Sequence, residues 1–239
     1  MKLNQALVAV AGFVVTLQFT TAGNITGKVT LSGTPPPERE ITPLKEDVNC
    51  GKLHPGPTPT TKFFVVGPNK ELADVVVVLK SDSLKGKSTG AAVASVELDQ
   101  KGCEYEPQIL AVQTGQKITV KNSDPVMHNV HTVPTVSGNK EENKGQGPGA
   151  ADLIFSIPAA ENFLKFKCDV HPWMFAWVTV VDHPYFAVTG KDGTFTIKDV
   201  PPGNYKIVAM HRKAAPTGVE KDIEVKADGA TADFTVEVK

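Results

Sequence analysis

Phe163-Leu164-Lys165-Phe166-Lys167-Cys168-Asp169-Val170-His171-Pro172-Trp173-Met174 decides how this chain is read. Its first half alternates apolar and polar residues, the period of a strand with one buried face. Leu164, Phe166 and Cys168 therefore turn inward and both lysines outward, and the thiol arrives at the end of a core. The pattern then gives way to a tight loop carrying Cys-x2-His-x2-Met. Met127-His128-Asn129-Val130-His131, well upstream, brings a second imidazole from another strand. Two imidazoles, a thiolate and a weak thioether make the ligand set of a blue-copper electron-transfer site. Zinc is the competing metal, but a structural zinc site usually takes four Cys/His ligands and methionine serves it poorly. His131 follows His128 by three residues, which on a strand puts the two rings on opposite faces, so His131 reads as a neighbour of the site and not a ligand.

On these residues the loop resembles the copper-binding loop of cupredoxins, its Cys-x2-His-Pro-x-Met form being most similar to the amicyanin type. YEPQILAVQTGQKITVKNSDPVMHNVHTV, from Tyr105 onward, is similar to the strands that lead into the first histidine ligand of that family. The resemblance spans residues 93–182 and implies His128, Cys168, His171 and Met174 as ligands of one type 1 copper. It also implies that the Asn129 backbone amide donates to the copper thiolate. Met127 and Val170 stand where the family often has proline.

Outward from this core the chain reads as strands throughout. β-branched runs at 25–32, 63–66, 75–80, 93–98, 109–112, 117–121, 152–157, 162–168, 176–181, 194–197, 205–211, 220–225 and 231–238 are punctuated by Gly, Pro and Asn turns. Many short strands and no long helical period predict an all-β sandwich architecture. The proline-rich stretch 34–61 is expected to wrap a surface, with at most one helical turn in 42–48. Residues 137–151, rich in Gly, Lys and Asn, read as a mobile loop.

A second resemblance lies near the end. TGKDGTFTIKDVPPGNYKIVAMH, from Thr189, resembles the core of carboxypeptidase regulatory-like, or transthyretin-like, domains. There an Asp-Gly turn joins two strands and Pro-Pro-Gly leads into the next. That family begins on a Gly-x-Val strand, here Gly27-Lys28-Val29, followed by one like 73–79. Together these give an all-β fold in which a cupredoxin Greek-key β-sandwich, residues 85–184, is inserted into or joined to a transthyretin-like β-sandwich built from 23–84 and 185–239.

Residues 1–22 read as a signal peptide, with Lys2, a short apolar run and the small residues Thr20, Thr21 and Ala22; an uncleaved anchor is the alternative. The expected location is therefore periplasmic or otherwise exported, with no stable membrane insertion after the signal is removed. In such a compartment Cys50 and Cys103 either join each other or stay as two buried thiols, while a copper thiolate at Cys168 stays unpaired. Cys50 and His54 could seed a second metal site, but with no further ligand nearby a disulfide and a solvent-facing His is the reading adopted. His183 and His211 read as structural, and Trp173, Phe175 and Trp177 as core residues first.

The chain has 239 residues, 41% hydrophobic and 21% charged, with a net charge of −1. That balance offers no electrostatic reason to expect nucleic acid or an anionic membrane as partner. The expectation is an electron carrier, not an enzyme. Multicopper oxidases and nitrite reductases need further copper centres, commonly with a His beside the ligand Cys, whereas Lys167 and Asp169 flank Cys168. The other class is a copper carrier or storage protein, or an extracellular scaffold, without redox turnover. His171, on a loop at the end of the sandwich, is the ligand expected to reach solvent. A transient protein redox partner is expected to dock near His171 and Trp173.

Overall fold

A computed structural model describes residues 22–238. The expected signal segment lies outside the described residues, except for Ala22. Strands Gly23–Ser32 (β1) and Val76–Lys80 (β2) come first, with a short helix, Thr42–Glu46 (α1), between them. Then follow Val96–Lys101 (β3), Glu104–Glu106 (β4), Ile109–Gln113 (β5), Lys117–Asn122 (β6) and His128–Val133 (β7). Glu142–Gln146 (β8), Leu153–Ser156 (β9), Glu161–Lys167 (β10) and Phe175–Val181 (β11) complete this inner set. The chain returns with Phe186–Val188 (β12), Thr194–Val200 (β13), Gly203–His211 (β14), Ala215–Val225 (β15), Ala230–Thr231 (β16) and Phe234–Glu237 (β17). The fold is all-β, built from several stacked sheets.

Among the described residues, β3 to β11 pair only with one another, as the sheets β5-β11-β10-β7-β8 and β4-β3-β6-β9. Their shared core holds Leu98, Val120, Phe155, Leu164, Phe166 and Val178, with Cys168 and Met174 at its edge. The flanking strands close on each other. β1 takes β13 antiparallel on one side and β16 and then β17 parallel on the other, and β2 lies between β12 and β14.

β2 explains how the two cores meet. Its run of valines does not alternate, which signals a strand buried on both faces. Val77 and Leu79 enter the core of the flanking strands. Val76 and Val78 face the other way, packing with Val208 and Met210 against Ile109 and Val181 of the inner sheet.

Two sequence expectations need correction. The run 63–66 is not a strand; only Val66 makes an isolated bridge, to Leu72. Residues 137–151 are not simply a loop, because β8 pairs with β7 from His128↔Gln146 to Thr132↔Glu142. A polar, glycine-bearing segment has little strand propensity, yet an edge strand needs mainly its backbone. Gln146 fixes it by donating to Val120 O at 3.0 Å and accepting from Gln100 at 2.7 Å, both in the interior. No helix among the described residues is long and apolar enough to cross a membrane.

Candidate metal centre

β10 delivers Cys168 to the end of the inner core, with Leu164, Phe166 and Cys168 buried as the alternation requires. The loop that follows is closed by its own backbone. Cys168 N donates to Met174 O at 3.1 Å, and Met174 N donates to His171 O at 2.9 Å. This short ring returns His171 over the thiol and leaves Met174 buried beside it. His128, the first residue of β7, meets them from the adjoining strand. Its Nδ1 lies 2.9 Å from His171 Nδ1, and Cys168 Sγ lies 3.9 and 3.7 Å from those two nitrogens. The three donor atoms fall within one sphere of 4.8 Å separations, all on buried residues.

Asn129 ties the two segments together. Its amide N–H points to Cys168 Sγ at 3.5 Å. Its side-chain oxygen accepts from Asp169 N at 2.7 Å and Val170 N at 3.3 Å, and its Nδ2 donates to Asn143 and Asp169. β7 thus shapes the 168–174 loop as well as supplying His128. His131 turns to the other face, between Asp169 at 2.8 Å and Glu141 at 2.6 Å.

The sequence reading missed Asp124. Its buried carboxylate accepts from His128 Nε2 at 2.9 Å, from Cys103 N at 2.7 Å and from Gly102 N at 2.6 Å. Only its place, one helical-turn distance before His128 in a Ser-Asp-Pro bend, offered a signal. Burial works against charge on Asp124, but the hydrogen bond from His128 and the two amides hold its pKa below the usual carboxylate range. Burial also opposes protonation of His128, yet Asp124 and Cys168 more than offset it and raise the pKa. Burial pushes the Cys168 thiol up, while His128 and the Asn129 amide bring it below its ordinary value. Burial, with His128 beside it, lowers that of His171.

A lid covers the site, and here the structure overturns an expectation. His171 does not reach solvent; it is 6% exposed. Segment 41–54 lies over it, stapled by a Cys50–Cys103 disulfide with a Cα separation of 5.8 Å. Both disulfide sulfurs and a His171 ring nitrogen lie within 4.8 Å of one another. Ile41 and Leu44 pack with the bridge against Trp173 and Val126. Trp173, whose ring is 5.2 Å from His171, spends its N–H on Cys103 O at 3.1 Å. His54 Nε2 bonds Gly102 O at 2.7 Å, which gives that histidine a structural role. His183 and His211 likewise bond backbone groups, at Leu79 O and Ala214 N.

No family model matches the chain, and no curated relative matches it. Among solved structures it is similar to a Cu(I) amicyanin mutant at 24% identity, with 44% of this chain and 97% of that one covered and a TM-score of 0.33. A purple cupredoxin from Nitrosopumilus maritimus is 21% identical over 36% of this chain and 98% of that one, with a TM-score of 0.30. A copper-containing nitrite reductase from Thermus scotoductus SA-01 is 17% identical; this chain covers 22% of that chain's length, with 36% of its own and a TM-score of 0.32.

Proposed function

We propose that this is an exported type 1 copper protein that carries single electrons between redox partners, with His128, Cys168, His171 and Met174 as the ligands. The observation that carries this reading is the convergence of two imidazole nitrogens and one free thiol in a closed, buried site. The donor set fits the metal. Two histidine nitrogens and a cysteine sulfur with a methionine nearby suit copper, whereas zinc would use the methionine poorly. Nitrogen donors about 2 Å from a shared ion stand roughly 3.3 Å apart at a tetrahedral angle, so His128 and His171 need to part by only a few tenths of an ångström. Copper, when bound, would supply a one-electron couple there.

The protein's own groups do the rest. Asp124 holds the proton on His128 Nε2 and so leaves Nδ1 free to ligate. The Asn129 amide stabilises negative charge on Cys168. The lid excludes water from His171. We take the chain as a carrier and not an enzyme, since burial of all three donors gives a substrate no approach. The strands flanking the inner set would form the regulatory-like sandwich, residues 23–84 and 185–239, around a copper sandwich at 85–184. A transient protein partner belongs to this reading, but it cannot touch a His171 edge that the lid covers.

Metal analysis and visible absorption of the purified protein test the proposal. One copper per chain and an intense visible band, both lost in Cys168→Ser, are expected. Zinc in place of copper, or an unchanged band in the variant, would overturn it. Reversible one-electron reduction without metal loss separates electron carriage from copper delivery or storage.

A further inference from the structure

The lid leaves open where a partner docks, and a second surface answers it. Phe175 follows Met174 directly in the chain and projects from β11 on the side away from the inner core. Trp177, two residues on, shares that face, and Phe63 stacks on Phe175 with ring centres 6.2 Å apart. Over these rings sit three cations. Arg212 lies 4.6 Å from Trp177, 5.0 Å from Phe63 and 5.9 Å from Phe175. Lys213 lies 4.1 Å from Phe63, and Lys165 within 5.8 and 5.9 Å of Trp177 and Phe175.

None of the three has a carboxylate within ion-pair distance among the described residues. Neighbouring acids are engaged elsewhere or stand beyond ion-pair distance. Glu38 is spent on Phe64 N and Thr61, and Glu104 on Lys62. Asp74 lines the same crevice as Arg212 but forms no ion pair with it. Burial pulls the Arg212 pKa down to about 10, which leaves it positive at neutral pH. A half-buried guanidinium held against aromatic rings without a counter-charge is a costly arrangement for one chain alone. A carboxylate from outside would complete it.

We infer that Phe63, Lys165, Phe175, Trp177, Arg212 and Lys213 form the docking surface for an acidic redox protein. The inference rests on the copper reading for its redox role, though the surface stands on its own geometry. Lys165, Phe175 and Trp177 come from the inner strands and Arg212 and Lys213 from the turn between β14 and β15, so the site exists only because the inner and flanking strands are joined. Phe175 is the next residue after Met174, and none of the three rings belongs to the cluster packed under the lid. Charge supplies the attraction and steering, and the half-buried aromatic rings supply apolar contact.

The test uses the full-length protein and a redox-inert anion. Hexacyanochromate(III), followed by paramagnetic broadening in amide NMR spectra, should broaden signals of Lys165, Phe175, Trp177, Arg212 and Lys213 first. The cation hexaamminechromium(III) should not. The exposed-side variant Lys165→Glu/Lys213→Glu should weaken the broadening about tenfold, and added salt should weaken it in the wild type. Arg212→Gln, checked for an unchanged spectrum elsewhere, should reduce it as well. Broadening centred on the lid or elsewhere, or unaltered by these variants, overturns the surface. A protein that binds no copper but shows the expected broadening overturns only the redox role.

Discussion

Asp124 and His128 form a buried pair, with the carboxylate 2.9 Å from Nε2, that fixes which imidazole nitrogen faces Cys168 and His171. Asp124→Asn keeps the shape but can present an N–H where an acceptor is required. Copper affinity should fall about 10- to 100-fold, the usual effect of removing the partner that orients a ligand. Competition with a chelator measures it. Unchanged affinity would show that β7 packing alone orients His128. The same substitution unsettles the Gly102 and Cys103 amides, so a loss of roughly 1–3 kcal/mol in stability should accompany it.

The lid makes a separate, kinetic prediction. Cys50→Ser/Cys103→Ser removes the staple while Ile41, Leu44 and Trp173 keep their packing. Global stability should drop by about 2–5 kcal/mol. Copper transfer to a chelator should accelerate more than stability loss alone explains, because the lid is what closes His171 from solvent. Equal transfer rates in the two proteins, at matched stability, would show that exchange does not pass the lid.

Gly27 gives a test of the flanking strands. β1 changes parallel partner from β16 to β17 around this residue, and a Cβ there would collide with the Ala232 carbonyl and press on Phe195. Gly27→Ala should therefore cost about 1–3 kcal/mol, as overpacking does, through a shifted β1–β17 ladder. A denaturant midpoint equal to the wild type would mean that β17 yields without loss.

How much of this was legible beforehand follows from the range of each interaction. Alternation across Leu164, Phe166 and Cys168 is local, so the sequence displays it. The loop from Cys168 to Met174 is equally local in its closure. Gln146 and β8 were not visible, since their strand is held by interior bonds to Gln100 and Val120 that no periodicity records. The lid was half visible. Two spare cysteines hinted at a staple, but nothing in the sequence says that the staple passes over His171. Asp124 was unread because a carboxylate before a proline looks like an ordinary turn residue.

His211 supports a prediction about pH. It is 2% exposed, accepts from Ala214 N at 3.1 Å, and has its pKa lowered to about 4 by burial first and by the positive Arg212 next. In the unfolded chain the ring titrates near 6.5. Above that pH both states hold a neutral ring, and the stability it contributes is fully present. Between about 6.5 and 4 the unfolded chain takes up a proton that the folded one refuses, so stability falls as the pH drops. The loss approaches 3 kcal/mol near pH 4 and then levels off, at about 1.4 kcal/mol per unit of displacement. His211→Gln supplies an acceptor that does not titrate. It should lower stability somewhat at pH 7.5 but flatten the decline between pH 6.5 and 4.5 relative to the wild type. Taking the difference between the two proteins cancels the groups they share, His128 and His171 included. Denaturant midpoints at several pH values across this window measure it, and parallel slopes for the two would show that His211 is not the group responsible.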